Sequence, residues 1–177
     1  MDLLVAKTEA EANVLAEKVN LKNEVRKQFD SDITEEAIAM IEANDALRTS
    51  KSTVLFKNSW HKGVIGIVAA RCVEKFYRPT VILTESNNRI TGSARSVNGF
   101  DLYHAILEGS DLLEKFGGHK YAAGLTLDIS NLELFQRRFE EVVSSTITED
   151  MLTPVLEMDM PLHFDLITTK FLTILKQ

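Results

Sequence analysis

The spacing of apolar residues over the first part of the chain predicts a long helix. Thr8 and Glu11 are spaced as in a capping box, in which the two side chains satisfy free N–H groups at a helix start. Apolar residues then recur every three or four positions as far as Ile41, with charged residues between them. The pattern predicts one long helix, or two in series, over residues 8–43. A long acidic helix in this position is interpreted as a connector to another domain.

Farther along, short β-branched runs alternate with stretches of helical periodicity. Strands are predicted at residues 53–56, 80–84, 89–94 and 125–128. Helices are predicted at residues 63–76, 101–116 and 131–145. Asn87-Asn88 marks a hairpin turn between two of the strands, and Gly117-Gly118 is predicted to end the second of the helices. The alternation predicts an α/β fold with a mixed central sheet flanked by helices and preceded by the long connector helix.

The C-terminal part of the chain is patterned differently. A strand-like run at residues 155–160 is followed by a helical run at residues 166–175, which has no cap. We therefore expect the chain to be a piece of a longer protein. Its predicted parts are a connector at residues 1–50, one folded domain at residues 51–148 and the start of another module at residues 149–177.

Composition is typical of a soluble globular protein, since 45% of the residues are hydrophobic and 26% are charged. No apolar run approaches the ~18 residues that would span a bilayer, so no contact with a membrane is expected. Cys72 is the single cysteine of the sequence, which excludes an internal disulfide and favours a reducing, cytoplasmic setting.

The charge is distributed unevenly along the chain. The net charge of −6 argues against a general nucleic-acid coat protein. Residues 51–130, however, carry a net charge of +3 between flanks of −5 and −4. The basic middle of the chain permits a local anion site but does not establish one.

Two glycines followed by a histidine make residues 116–124 the most informative stretch. Gly117 and Gly118 free the backbone and allow a ligand to approach closely, and the small residues 122–124 come one turn after His119. If this turn is helical, its free N–H groups and His119 would form an anion site at a helix N-terminus. The alternative is a glycine helix stop with an exposed histidine. The residues of this stretch alone do not separate the two interpretations.

Two further stretches carry candidate ligands. Arg95, between the hydroxyls of Ser93 and Ser96, could hold a phosphate through two parallel hydrogen bonds, although an ordinary polar strand end has the same pattern. His61 lies between a predicted strand and a buried helix, where it is either a ligand contact or a structural cap. The spacing of the histidines fits no zinc or manganese motif, so no metal site is expected in this chain.

Together, these stretches resemble the RecJ family of DHH phosphoesterases. Residues 59–69 (SWHKGVIGIVA) are similar to the family's GWHPGVIGIVA segment, and residues 92–96 (GSARS) are similar to its GSGRS. Residues 98–102 (NGFDL) contain its GFDL, and residues 116–124 (FGGHKYAAG) match the GGHxxAAG signature of the DHH-associated domain. The motifs agree in order and spacing, and the resemblance covers about residues 5–165.

The resemblance implies the substrate-binding, DHH-associated domain of a 5′→3′ exonuclease that acts on single-stranded DNA in repair and recombination. Manganese or magnesium would be held by a separate N-terminal DHH domain, and none is expected on this chain, which would be inactive alone. The partners implied are single-stranded DNA and, beyond it, a single-strand-binding protein or a helicase. Residues 149–177 would begin an oligonucleotide-binding module.

The resemblance also implies roles for individual residues. The residues that would hold the 5′ phosphate of the strand are Ser93, Arg95 and Ser96. The residues that would contact the scissile region and support the charge that develops on the phosphate are Gly117, Gly118 and His119, with His119 as the catalytic candidate. His61 lies in a matching motif and is a further candidate for binding phosphate.

Two residues depart from the family's pattern, and two other functions remain open. Ala94 replaces a glycine and Lys62 replaces a proline, but neither change removes a proposed ligand group. One alternative is a nucleotide-binding or regulatory domain of another DHH-family phosphodiesterase, acting on cyclic dinucleotides or short RNA. The other is a purely structural domain whose Gly-Gly-His turn only packs. The segment at residues 59–69 favours the exonuclease over the first alternative, and only binding data separate it from the second.

Overall fold

The computed structural model describes residues 2–175; Met1 and residues 176–177, the outermost positions of the predicted connector and last module, lie outside it. Within this range the helices are α1 (Glu9–Glu42), α2 (Asp45–Thr49), α3 (Ile65–Phe76), α4 (Leu102–Leu107), α5 (Leu132–Thr146) and α6 (Thr169–Leu175). The strands are β1 (Thr53–Phe56), β2 (Thr80–Ser86), β3 (Arg89–Arg95), β4 (Lys115–His119) and β5 (Ala122–Leu127). Short 3₁₀ turns lie at Asp2–Val5, Ser110–Leu112, Ile129–Asn131, Glu149–Leu152 and Phe164–Leu166.

Helix α1 is one continuous helix, the first of the two possibilities that the apolar spacing leaves open. The hydroxyl of Thr8 caps it by accepting a hydrogen bond from the N–H of Glu11 at 3.2 Å. The Glu11 carboxylate accepts in turn from the N–H of Lys7 at 3.0 Å, one residue before the cap. The buried side chains of α1 are Asp30, Ile33, Thr34, Ala37 and Ile41. The earlier residues of the helix are exposed or half-buried, so the second half alone is docked on the rest of the fold.

Within the described residues the strands form a mixed five-stranded sheet in the order β1-β2-β3-β5-β4. Strands β1 and β2 are parallel and are joined through α3, whereas the other neighbours are antiparallel. The β2–β3 hairpin turns at Asn87 and Asn88, which both have positive φ (55° and 58°), the backbone geometry that two-residue hairpin turns require. A mixed sheet flanked by helices and preceded by a long helix confirms the predicted fold class.

Side chains alternate between the two faces of the sheet, and each face has its own core. On one face, Leu55 and Ile82 pack in a cluster with α3 and the docked half of α1. On the other face, Leu83 and Leu125 pack in a larger cluster with Phe135 and other residues of α4 and α5. The first cluster takes sheet side chains from β1 and β2 only, among the described residues. The same face of β4 and β5 is therefore left without a helix over it.

The helix predicted over residues 101–116 is wrong in its second half. Helix α4 ends at Leu107, a 3₁₀ turn follows, and Lys115 already begins β4. Strand β4 pairs with β5 along its whole length, and Phe116 packs against the larger core. Strand pairing and the partial burial of Phe116 override the helical periodicity of the sequence. Gly117-Gly118 therefore lies within a strand and does not end a helix.

Three other segments refine or correct the predictions. The strand predicted at residues 155–160 is absent from the described part of the chain, because an extended run needs a neighbouring strand to pair with. The helix predicted at residues 166–175 is present as the shorter α6. The polar break at residues 44–52 contains α2, whose cap Asn44 accepts from the N–H of Leu47 at 3.2 Å. Across residues 2–175, no helix has the length and apolarity needed to span a membrane.

Candidate functional site

Three adjacent strands bring the residues singled out in the sequence onto one face of the sheet. Ser93 of β3 lies opposite Gly124 of β5, which lies opposite Gly117 of β4. Two residues along these strands, Arg95 and His119 form a second row, on either side of β5. Opposed residues of paired strands point to the same face, and neighbouring strands are about 4.8 Å apart. The Cα atoms of Arg95 and His119 therefore lie about 10 Å apart across β5, and both side chains are on the same face.

This part of the sheet face is open. Helices α1 and α3 cover β1 and β2, and α3 also lies against β3, whereas Gly117, His119 and Gly124 at the β4–β5 end of the same face are exposed. We call the open surface the glycine shelf, and its residues are Ser93, Arg95, Gly117, His119 and Gly124. A ligand can reach the backbone of the shelf on β4 and β5 without moving any helix.

Packing does not require glycine at the two shelf positions 117 and 124, but it does require glycine at the neighbouring position 118. A Cβ at Gly117 would meet no heavy atom within 4 Å, and a Cβ at Gly124 would come no closer than 3.8 Å to one. Gly118 has φ of +151°, and a Cβ there would lie 2.5 Å from the Cα of Ala123 and closer still to the carbonyl oxygen of Ala122. The fold itself therefore needs glycine at position 118. At positions 117 and 124, glycine instead leaves space above the sheet.

Arg95 and Ser93 stand at the inner edge of the shelf, against the first turn of α3. Arg95 Nη1 donates to the Ser93 hydroxyl at 3.0 Å and to the Ala94 carbonyl at 2.8 Å. A Cβ at Gly66 would lie 2.9 Å from Arg95 Nη2 and 3.0 Å from Ser93 Oγ, so glycine at position 66 leaves room for both side chains. Among the described residues Arg95 forms no salt bridge. Its remaining donors are available to an anion.

Ser96 lies just beyond β3, beside the shelf. Its hydroxyl donates to the carbonyl oxygen of Phe100 at 3.1 Å, and its N–H donates to the carbonyl oxygen of Tyr121 at 3.1 Å. Both of its protons are therefore used within the chain. These contacts fasten the end of β3 to the turn between β4 and β5.

His119 ends β4, and the turn that follows it belongs to a β-hairpin. Lys120 and Tyr121 connect β4 to β5, and the Lys120 carbonyl accepts from the N–H of Leu102 at 3.0 Å. The helical turn considered for these residues is not formed, because strand pairing uses the backbone here. His119 Nδ1 accepts from the N–H of Tyr121 at 3.3 Å, which places the proton of the neutral ring on Nε2. That N–H is a donor at the exposed end of the shelf.

His61 is held beside the first turn of α3. Its Nδ1 accepts from the N–H of Gly63 at 3.1 Å, and its ring stacks on Phe29 of α1 with centroids 5.1 Å apart and planes at 12°. A Cβ at Gly63 would lie 2.8 Å from His61 Cε1, so glycine at position 63 leaves room for the imidazole. The sequence gives no signal for the contact with Phe29, because the two residues are far apart along the chain.

Glu36 fastens the loop before His61 to α1. Its carboxylate pairs with Lys57 and accepts from Trp60 Nε1 at 2.6 Å. Trp60 is buried and directly precedes His61 in the chain. The hydrogen bonds from Lys57 and then from Trp60 lower the pKa of Glu36 below its ordinary value. Glu36 therefore stays ionised at neutral pH and holds the loop through both partners.

Replacing Glu36 with glutamine is expected to lower the free energy of unfolding by about 1 kcal/mol near neutral pH, because the amide cannot form the ion pair with Lys57. Since the pKa of Glu36 is lowered in the folded chain, its contribution is present above the ordinary carboxyl value of 4.5 and is lost as pH falls through the folded value. Urea unfolding in neutral and in acidic buffer measures both effects. Glu35→Gln, at the exposed neighbouring position, is the control. Equal stability of Glu36→Gln and the wild type at neutral pH would contradict the stabilising role of the Glu36 contacts with Lys57 and Trp60.

The surroundings of the shelf are positively charged. Like Arg95, the side chains of Lys115 and Lys120 form no salt bridge within residues 2–175. Lys115 lies on the same strand face as the shelf residues of β4, since side chains two apart in a strand share a face. Cations that are not neutralised locally attract polyanions such as a phosphodiester backbone.

The described residues do not assemble a metal centre. Between residues 2 and 175, no group of three or more His, Cys, Asp or Glu residues could hold a metal ion. His61 and His119 both use Nδ1 to accept from a backbone N–H. Burial raises the pKa of the Cys72 thiol to about 11, so it is not an available thiolate. The shelf can thus bind an anion through hydrogen bonds, and no metal-dependent step is assigned to its residues.

Comparison with known proteins identifies several relatives. The DHHA1 domain model matches residues 49–145. The chain is similar to the single-stranded-DNA-specific exonuclease RecJ of Bacillus subtilis, with 38% identity over 160 residues that cover 89% of the chain and 20% of that protein. The RecJ of Escherichia coli is 34% identical over 171 residues, covering 90% of the chain and 29% of that protein. The chain thus spans less than a third of the length of these curated relatives.

Solved structures give the same result for the fold. A crystal structure of RecJ in complex with Mg²⁺ from Thermus thermophilus has a TM-score of 0.72 and 28% identity, covering 82% of this chain and 22% of that one. A crystal structure of exonuclease RecJ bound to manganese has a TM-score of 0.70 and 29% identity, covering 81% of this chain and 35% of that one. Similarity in sequence and in fold confirms the resemblance that the motifs indicate.

Proposed function

The chain belongs to the DHHA1 domain family, and from this premise we propose that it binds the phosphate backbone of single-stranded DNA within a RecJ-like 5′→3′ exonuclease. One observation carries the proposal. A half-buried arginine, Arg95, has no carboxylate partner in the described chain and stands beside an open floor of glycines that the fold does not require. A phosphate group fits such a place, because it supplies the missing negative charge and comes close to the backbone.

The 5′ phosphate of the strand binds at Arg95 and Ser93 in this proposal. The guanidinium donates to two phosphate oxygens in parallel, and the Ser93 hydroxyl adds a neutral donor. Ser96 supports the phosphate site indirectly, because its hydroxyl and its N–H donate to Phe100 and Tyr121 and hold the end of β3 in place beside Arg95. The glycine at position 66 gives the guanidinium room to adjust on the side of α3.

The scissile region of the strand lies over the glycines toward His119. Gly117 lets the phosphate approach the backbone of β4, and Gly118 keeps that strand in its course against β5. His119 donates from Nε2 to a phosphate oxygen and supports the negative charge that develops there during hydrolysis. His61 contributes a second Nε2–H donor from the side of α3.

The whole enzyme is proposed to need manganese or magnesium, held outside this chain. The RecJ structures matched above are described with Mg²⁺ or manganese, and the residues between 2 and 175 offer no group of metal ligands. In this arrangement residues 1–50 connect to the metal-binding domain, residues 51–148 form the opposite wall of the cleft and residues 149–177 begin the next module. This chain binds and orients the strand, and a metal held by the other domain would supply an activated water for hydrolysis.

A titration of the 177-residue chain at low salt, with 5′-phosphorylated and 5′-hydroxyl single strands, tests the proposal. The phosphorylated strand is expected to bind about tenfold more tightly, because it adds one charge-assisted contact. Arg95→Ala is expected to erase that preference. Arg137→Ala, which removes an exposed arginine on α5 at the other face of the sheet, is the matched control and should leave the preference intact.

Two outcomes of this titration would overturn the phosphate site, and a third would favour a different function. Absence of binding, or equal binding of both strands with no effect of Arg95→Ala, would overturn the phosphate site. A cyclic dinucleotide that displaces the phosphorylated strand at much lower concentration would favour the regulatory alternative instead. Affinity that falls steeply as salt is added is expected for contacts with phosphate.

A further inference from the structure

His61 is the one histidine at this site whose ring is fixed from two directions. Its Nδ1 accepts from the N–H of Gly63 at 3.1 Å, which places the proton of the neutral ring on Nε2. One face of the ring stacks on Phe29 at 5.1 Å between centroids. A hydrogen bond alone leaves the ring free to swing about it, whereas stacking also fixes the plane in which Nε2–H points.

Phe29 is itself held in place by its neighbour in the chain. Asp30 is 6% exposed, and its two carboxylate oxygens accept from Nε and Nη2 of Arg71 on α3, both at 3.1 Å. The two-point pair fixes α1 against α3 at this position. Phe29, which is 42% exposed, therefore stands at a defined place near the first turn of α3.

The first turn of α3 connects this aromatic pair to the shelf. Gly63 makes room for His61, and Gly66 makes room for Arg95 and Ser93. The two glycines are three positions apart, with Gly63 in the turn that leads into α3 and Gly66 in its first turn, so they lie roughly 5–6 Å from each other. His61 therefore lies about one turn from the proposed phosphate site.

We propose that Phe29 is a positioning residue, which orients His61 so that its Nε2–H donates to the bound strand. The proposal rests on the function proposed above and adds a residue to it that touches neither the strand nor the shelf. It also makes strand binding depend on how α1 lies against α3, because Phe29 belongs to α1 and His61 to the loop before α3.

A double-mutant cycle in the 177-residue chain tests the positioning role. His61→Ala and Phe29→Ala are each expected to weaken binding of a 5′-phosphorylated strand, by about tenfold and about fivefold, since each removes one charge-assisted hydrogen bond or its geometry. In the His61→Ala background, Phe29→Ala is expected to have no further effect. Phe29→Tyr, which keeps the ring, should bind as the wild type does.

Proton NMR of the His61 ring gives a readout in the absence of DNA. Stacking on Phe29 is expected to move the imidazole carbon-bound protons upfield, Phe29→Ala should abolish the displacement and Phe29→Tyr should keep it. Thermal unfolding of each variant shows whether weaker binding comes from a misplaced His61 ring or from loss of the fold.

Three results would overturn the proposal. An undiminished effect of Phe29→Ala in the His61→Ala background would mean that Phe29 contacts the strand directly. Wild-type affinity in Phe29→Ala, or in His61→Ala, would mean that no such positioning matters for binding. In the last two cases a 5′-phosphate preference that still depends on Arg95 would leave the proposed function standing, so the two failures are distinguishable.

Discussion

Replacing Gly118 with alanine is expected to lower the free energy of unfolding by about 3–5 kcal/mol and the Tm by about 10 °C. Two costs add at this position. The backbone has φ of +151°, which side chains with a Cβ rarely adopt, and the new methyl group would press on the backbone of β5 at Ala122 and Ala123. Backbone atoms cannot rotate away as a flexible side chain can, so the strands themselves must separate.

Gly117→Ala is the matched control, because it adds the same methyl group one residue earlier on the same strand. A Cβ there meets nothing within 4 Å, and its stability is expected to stay within about 0.5 kcal/mol of the wild type. Thermal and urea unfolding of the two variants measure the difference. Similar stabilities of Gly117→Ala and Gly118→Ala would show that positions 117 and 118 do not face opposite sides of the sheet.

Replacing Gly124 with valine is expected to leave the fold intact and to weaken binding of a 5′-phosphorylated strand by more than about 30-fold. Valine suits a strand better than glycine does, and a Cβ at this position comes no closer than 3.8 Å to any heavy atom. The side chain would stand between Ser93 and Gly117, on the floor of the shelf. It would therefore fill the space through which the phosphate reaches the backbone.

Thr126→Val is the control for Gly124→Val, since Thr126 lies two residues farther along the same strand face and is nearly isosteric with valine. It should bind the strand as the wild type does. Parallel titrations and unfolding curves for both variants are required. A stable Gly124→Val chain with unchanged affinity would place the bound strand elsewhere on the domain.

Much of the fold follows from local patterns in the sequence. The capping residues and apolar spacing predict α1, and the Asn-Asn pair predicts the β2–β3 turn, because these signals act between near neighbours. Residues 115–119 show where local patterns fail. Their periodicity continues the preceding helix, but pairing with β5 and the partial burial of Phe116 decide the outcome. Those contacts depend on a strand that the local window does not contain.

The candidate site, too, can be predicted only in part from the sequence. Motif resemblance singles out Ser93, Arg95 and His119, and the register of the three strands is what brings them to one face. The different roles of Gly117 and Gly118 cannot be derived from their letters, since they follow from strand alternation and from one φ angle. The contact of Phe29 with His61 depends on how α1 packs on α3, which no motif encodes.

The half-docked helix α1 has a mechanical consequence. Its residues before Asp30 extend as a rod about 30 Å long, at 1.5 Å per residue, with the Asp30–Arg71 pair as its fulcrum. A tilt of about 10° at the fulcrum would sweep the far tip through about 5 Å, which exceeds the spacing between two strands. A force applied at the tip would act on the Asp30–Arg71 pair through the full length of this rod. Because Phe29 directly precedes Asp30, such a tilt would also turn the Phe29 ring against His61.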